Sequence, residues 1–177
     1  MVRAWYMDKS DDDQKAAHLT DPPEYVEIDK LQELTKVEYF KINSDDFAND
    51  KTLQDLRKTR GYSYEDNVRI TPQMQGYDDK MKMFFREHIH SDEEIRLIVD
   101  GSGYFDVRDQ NDRWIRIECV KDDLIILPAG IYHRFTVDKN DFVVANRYFL
   151  GEPVWTPINR PAEEHPARSE YLKTFKA

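Results

Sequence analysis

A chain of 177 residues that is 40% hydrophobic and 12% aromatic can close a sizeable core and is too apolar for wholesale disorder. Its 35 acidic residues outnumber 26 lysines and arginines, for a net charge of −9, and with no basic stripe this balance argues against a nucleic-acid partner. One cysteine, Cys119, rules out an internal disulfide, and no apolar run approaches the ~18 residues of a membrane span.

The first third of the chain mixes elements. VRAWYM near the start predicts a short strand, and Asp29 to Lys36 a helix. EYFKI predicts a second strand, and Asp50 to Arg60 a helix stopped by Gly61. Ser63-Tyr-Glu-Asp66 has capping-box spacing and predicts a helix start. YDDKMKM, residues 77–83, predicts a helical turn or two, with acids first and lysines later as the helix dipole favours.

From Phe84 the pattern changes to short strands punctuated by the turns HSDE, DGSG, RDQND, KDD, LPAG and DKND. The runs between them are EIRLIV, YFDV, RWIRIEC, LIIL, IYHRFTV and FVVANRYFL. Successive hairpins of this kind predict a mainly β fold, an antiparallel sandwich or barrel with a few helices flanking its N-terminal portion. Past Gly151, the proline-rich EPVWTPINRPAEEHP predicts a wrapping tail rather than a strand, followed by a final helix over Ser169 to Lys176. No repeat or low-complexity linker interrupts the chain, so a single domain is expected over 1–177. Within it, 1–80 is the mixed portion, 81–155 the barrel core and 156–177 the tail.

The stretch FFREHIHSDEEIRLIVDGSGYFDV, residues 84–107, alternates like a strand. Phe84, Arg86, His88 and His90 share one face; after the turn Glu94 and Arg96 share a face, with Ile95, Leu97 and Val99 on the other. Residues two apart on a strand lie about 7 Å apart on the same side. His88 and His90 therefore point together, and HSDE can fold the chain so that Glu94 faces them. His133, in PAGIYHRF, can reach them across a barrel, with Phe135 sharing its face. Three imidazoles and one carboxylate suit a divalent transition metal. His-x-His alone is a weak signal, but an uncompensated carboxylate inside a barrel would cost several kcal/mol, on the scale of other unpaired buried charges. The metal ligands expected are His88, His90, Glu94 and His133. Arg96, on the face of Glu94, is the best candidate to steady an anionic substrate. His18 and His165, in polar and proline-rich surroundings, are expected at the surface, and Cys119 as buried filler.

These residues also carry a resemblance. His88-Ile-His90-Ser-Asp-Glu-Glu94, then six residues and Gly101, and later Pro-Ala-Gly-Ile-Tyr-His133, resemble the two metal motifs of the cupin superfamily. Lys82, Asp122 and Val137 depart from it at turn and scaffold positions only. The chain is more closely similar to the acireductone dioxygenases, through AWYM, MKMFFREHIHSDEEIRLIVDGSGYFDVRD, RWIRIECVKDDLIILPAGIYHRFTVD and GEPVWTPINRP.

The resemblance implies a cupin-type jelly-roll barrel holding one Fe2+ or Ni2+ per monomer. The implied substrates are dioxygen and the acireductone of methionine salvage, a methylthio-bearing enediol ketone. The implied products are a methylthio keto acid and formate with iron, or methylthiopropanoate, formate and carbon monoxide with nickel. It also implies a second interior arginine at Arg147, and an aromatic lining for the methylthio tail at Phe84, Phe135 and Trp155. A monomer in the cytoplasm is the expectation, with a nuclear pool and an additional protein partner left open. Two rival readings remain: a manganese or iron cupin acting on another small acid, and a metal-bearing scaffold for protein interaction.

Overall fold

The computed structural model describes residues 3–176; Val2 of the first predicted strand lies outside them. Among the described residues, ten strands form the framework. They are β1 (Arg3–Tyr6), β2 (Glu38–Lys41), β3 (Tyr64–Ile70), β4 (His88–Ile89), β5 (Glu94–Arg108), β6 (Trp114–Val120), β7 (Asp123–Leu127), β8 (His133–Val137), β9 (Val143–Phe149) and β10 (Ile158–Asn159). The α-helices are α1 (Ile28–Thr35), α2 (Lys51–Arg60), α3 (Tyr77–Phe85) and α4 (Pro166–Lys173), with a short 3-10 segment at Ser44–Asn49. The strand pairings are antiparallel throughout, as the succession of hairpins predicts.

β5 is the spine of the fold. Its first half pairs with β7 and β9, and its second half with β6 and β8. Sequence patterning divides this stretch into two strands at DGSG; the chain instead runs through as one fifteen-residue strand with a register shift between Ile98 and Asp100. Gly101 makes the shift possible. It sits at φ +71°, and a Cβ there would fall 2.2 Å from the Phe142 carbonyl oxygen. A bulge re-aims a strand in this way, and here it lets one strand serve both halves of the barrel.

Period-two alternation then sorts the residues of β5. Ile95 and Leu97 face outward and pack with Leu53 and Leu56 of α2, and with Ile42, Leu124, Ile126 and Tyr148. Asp50 caps α2 by accepting from the Leu53 amide at 2.9 Å, and Gly61 ends it at φ +74°, as the sequence predicts. Ile98, Phe105 and Val107 belong to the main cluster with Ile115, Ile117, Cys119, Leu127 and Val143, where Cys119 is fully buried filler. The apolar face that looks like the inside of the barrel is thus partly its outer wall under α2, which leaves the opposite face free to carry charge.

Four local expectations are corrected. Ser63–Asp66 does not start a helix: Tyr64 opens β3, whose residues pair with β9 from Tyr64↔Phe149 to Ile70↔Val143. A seven-residue ladder outweighs a local capping signal. Phe84 lies on α3 rather than on a strand, because that helix continues to Phe85. The tail contains the short strand β10, paired with β4, and its helix starts at Pro166 and ends at Lys173. His18 is buried, not surface: its Nδ1 lies 2.8 Å from Asp8 Oδ1 and its Nε2 2.9 Å from the Asp13 carbonyl. His165, half-exposed, caps α4 by accepting from the Ala167 amide. No helix among the described residues is long and apolar enough to cross a membrane.

Candidate metal centre

β4 and β8 bring the first two histidines together, since His88 and His133 are direct cross-strand partners. Opposed side chains on an antiparallel pair start about 5 Å apart, and the two ring centroids lie 4.4 Å apart. His90 follows on the same side, 4.9 Å from His88 and 5.3 Å from His133 between centroids. One ligand atom from each of the three lies within 4.8 Å of the others. Glu94, at the start of β5, completes the group: its Oε2 is 2.7 Å from His133 Nε2 and 3.8 Å from His90 Nε2.

The tautomers are set from behind. His88 Nδ1 lies 2.6 Å from the Arg86 carbonyl, His133 Nδ1 2.9 Å from the Ile131 carbonyl, and His90 Nδ1 3.3 Å from the Thr156 carbonyl. A carbonyl only accepts, so each Nδ1 carries the proton and each Nε2 lone pair is free to face the cluster. This is the outer support that metal-binding histidines require. In front, Glu94 Oε2 and His133 Nε2 are buried and, despite their 2.7 Å separation, have no hydrogen-bond partner. Buried polar atoms are seldom left in that state. An N,N,N,O donor set with orphaned lone pairs fits a divalent transition metal.

Electrostatics agree with that fit. Burial, reinforced by His133, pushes His88 down to about 4, and burial also lowers His90, so both rings favour the neutral form that ligates. Burial alone would raise the Glu94 carboxyl, but Arg96, His133 and His90 together hold it well below the usual range. Glu94 is therefore an anion at neutral pH.

The arginines lie next to this group. Arg96 Nη2 is 3.1 Å from Glu94 Oε1. Arg147, on β9, is its direct cross-strand partner and is forked onto Asp66 of β3, at 2.8 Å through Nε and 2.6 Å through Nη2. Both guanidiniums pack on Trp155, with Arg147 at 4.0 Å and Arg96 at 5.4 Å from the ring centre. Phe84 and Phe135 meet edge to face at 6.3 Å, and Phe135 leans on Phe105 at 4.9 Å.

A narrow space of about 100 Å³ is lined by all three histidines, Glu94, both arginines, Phe84, Phe135 and Trp155. It adjoins a wider, mostly apolar lobe of about 420 Å³. Phe84, Glu94, Arg96, Phe135 and Arg147 line both, while Val68, Ile70, Met74, Ile98, Val143 and Ala145 line only the second. The wider lobe falls within the usual size of small-molecule sites. All nine residues singled out in the sequence thus line one continuous region, Phe84 reaching it from a helix. Sequence reasoning missed Asp66, hidden by the false capping signal although alternation from Tyr64 to Ile70 could have revealed it. It also missed Met83, Phe105 and Pro157, and the carbonyl partners of the imidazoles, for which side-chain identity gives no signal.

Comparison with known proteins bears on this arrangement. Residues 3–157 match the ARD/ARD' family. The chain is 59% identical over 176 residues to the acireductone dioxygenase of Branchiostoma floridae, covering 99% of this chain and 98% of that one. It is 56% identical over 174 residues to that of Drosophila melanogaster, covering 98% and 94%. Among solved structures it is similar to an acireductone dioxygenase from Bacillus anthracis with a cadmium ion in the active centre, with a TM-score of 0.68 and 25% identity, covering 79% of this chain and 95% of that one.

Proposed function

Given that this chain belongs to the ARD/ARD' family of acireductone dioxygenases, we propose that it cleaves the methylthio-bearing enediol ketone of methionine salvage with dioxygen. With iron the products are the methylthio keto acid and formate; with nickel they are methylthiopropanoate, formate and carbon monoxide. The observation that carries this reading is the orphaned, buried pair Glu94 Oε2 and His133 Nε2, beside two further imidazoles whose Nε2 atoms are freed by their carbonyl partners.

His88, His90, Glu94 and His133 hold one Fe2+ or Ni2+ per chain. When bound, the metal supplies Lewis acidity toward the enediol and a route for its electrons to dioxygen. The chain's own residues do the rest. Arg96 and Arg147 hold the deprotonated enediol, since a guanidinium in a largely buried site is screened less than one in water. Phe84, Phe135 and Trp155 enclose the methylthio tail and keep water from the reacting carbons. Glu94 stays ionised, with Arg96 on its second oxygen, so the ligand set needs no proton release there on loading. Iron is the expected cellular metal, because its availability offsets the tighter binding of nickel to such donors. The protein acts as a single-domain monomer in the cytoplasm, with no nucleic-acid partner.

The test is direct. Chelated protein is loaded in parallel with Fe2+ or Ni2+ and given acireductone and dioxygen, and formate, keto acid and carbon monoxide are measured. Formate from both forms and carbon monoxide from the nickel form alone are expected. No formate with either metal refutes the reading.

A further inference from the structure

The chain beyond residue 157, where the family match ends, returns to the back of the metal centre. β10 pairs Ile158 with Ile89 and Asn159 with His88, and the Arg160 amide donates to the Glu87 carbonyl at 3.1 Å. The Arg160 side chain bridges two acids: Nη1 lies 2.8 Å from Glu87 Oε2 and 2.8 Å from Asp112 Oδ1. Glu87 immediately precedes His88 and is also bound by Arg108 Nε at 2.8 Å.

The same guanidinium stacks on Tyr132, the residue before His133, at 4.2 Å from the ring centre, and Arg168 of α4 packs on that ring at 4.3 Å. Tyr132 is fully buried; its hydroxyl donates to Glu163 and accepts from the Ala162 amide. Two of the three residues that the Arg160 side chain engages, Glu87 and Tyr132, are therefore chain neighbours of histidines, which lie one on each of the paired strands β4 and β8.

We propose that Arg160 is a positioning residue for the metal centre, locking Glu87 and Tyr132 so that His88 and His133 stay opposed. The inference rests on the metal-site reading of His88, His90, Glu94 and His133. A histidine whose supporting contacts loosen loses its aim, and outer-sphere changes of this kind weaken metal sites by about 10–100-fold. Arg160 acts one residue further out, so an effect near the lower end is expected. Lysine can keep the charge on Glu87 but has no planar fork to bridge Asp112 and stack on Tyr132 together.

The experiment loads wild type, Arg160→Ala, Arg160→Lys and Glu87→Gln with one equivalent of Ni2+ and follows metal release to a chromogenic chelator. The melting temperature of each metal-free protein is measured alongside. Leu56→Ala, which opens a cavity in the outer cluster under α2, is the control for loss of stability without loss of the brace. Release about tenfold faster from Arg160→Ala and Glu87→Gln, intermediate for Arg160→Lys and unchanged for Leu56→Ala is the expected result. Wild-type release rates in the Arg160 and Glu87 variants overturn the inference, as does equal acceleration by Leu56→Ala. If Arg160→Ala does not fold, Arg160→Lys and Glu87→Gln decide by the same criterion. Failure of the wild type to retain Ni2+ overturns the metal-site reading itself, and is distinguished by that protein alone.

Discussion

Arg96 and Arg147 stand directly opposite one another on β5 and β9. Like charges in that relation repel. Burial lowers the Arg96 guanidinium from its ordinary value, with Glu94 opposing the shift and Arg147 adding to it. Each arginine has one carboxylate, Glu94 for Arg96 and Asp66 for Arg147. With a divalent cation on Glu94, as proposed, the region would carry surplus positive charge, which an anionic enediol between the two guanidiniums would relieve. Replacing either arginine by alanine should raise KM for acireductone about tenfold or more, the size of a lost charge-assisted hydrogen bond. Arg147→Lys should recover only part of this, since lysine cannot fork onto Asp66 and stack on Trp155 together. Steady-state kinetics at fixed metal loading decide; an unchanged KM for both alanine variants removes the arginines from substrate binding.

Asp66 gives a pH signature that can be read separately. The Arg147 fork holds its carboxyl below the ordinary value, with the Tyr64 hydroxyl helping and burial opposing. A carboxyl depressed in the folded state adds stability above its unfolded pKa and loses it as pH falls through the lower, folded value. Urea unfolding of wild type and Asp66→Asn should therefore show the wild-type advantage intact at neutral pH. It should shrink below about pH 4, the ordinary range for aspartate. A difference independent of pH would mean that the Arg147 pair does not stabilise the fold.

The legible parts of this molecule are the ones that depend on short-range periodicity. His88 with His90, and Glu94 with Arg96, share faces because strand side chains alternate, and nothing distant alters that. The boundaries of α2 follow from Asp50 and Gly61, whose capping roles are likewise local. What escapes the sequence is decided by partners far along the chain. Ser63–Asp66 has the letters of a helix start but a β9 partner to pair with. DGSG has the letters of a turn, but Gly101 is needed for a bulge under Phe142. His18 sits in polar surroundings in sequence, yet Asp8 and the Asp13 carbonyl enclose it in space. The outward packing of Ile95 and Leu97 depends on α2, more than thirty residues earlier in the chain.

Gly101 turns that lesson into a measurement. At φ +71° an L-residue is strained, by about 1–2 kcal/mol, and an added methyl would overlap the Phe142 carbonyl oxygen. Gly101→Ala should lower stability by at least that strain, and by more because the carbonyl that accepts from the Ser102 amide at 3.1 Å must move. Gly76→Ala is the comparison: it has positive φ, but nothing lies within 4 Å of the added carbon. Equal losses for the two variants in urea unfolding would show that backbone strain alone, and not the close approach of β5 to Phe142, sets the demand for glycine at 101.

Metal loading should itself stabilise the fold. A ligand that binds only the folded state adds about 2.7 kcal/mol at a hundredfold excess over its Kd. For a chain of this length that corresponds to a rise of about 5–10 °C in melting temperature. The buried Glu94 Oε2 and His133 Nε2 locate the origin of the gain, because they lie 2.7 Å apart without a hydrogen bond between them. Calorimetry of chelated and Ni2+-loaded protein should show the rise in wild type and none in His133→Ala. Glu94→Ala has a further consequence, since it removes the carboxylate beside the largely buried Arg96. It should lose the metal-dependent rise and also melt below wild type with no metal present. A full nickel-induced rise in Glu94→Ala would exclude that carboxylate from the ligand set and leave the three imidazoles to hold the ion without it.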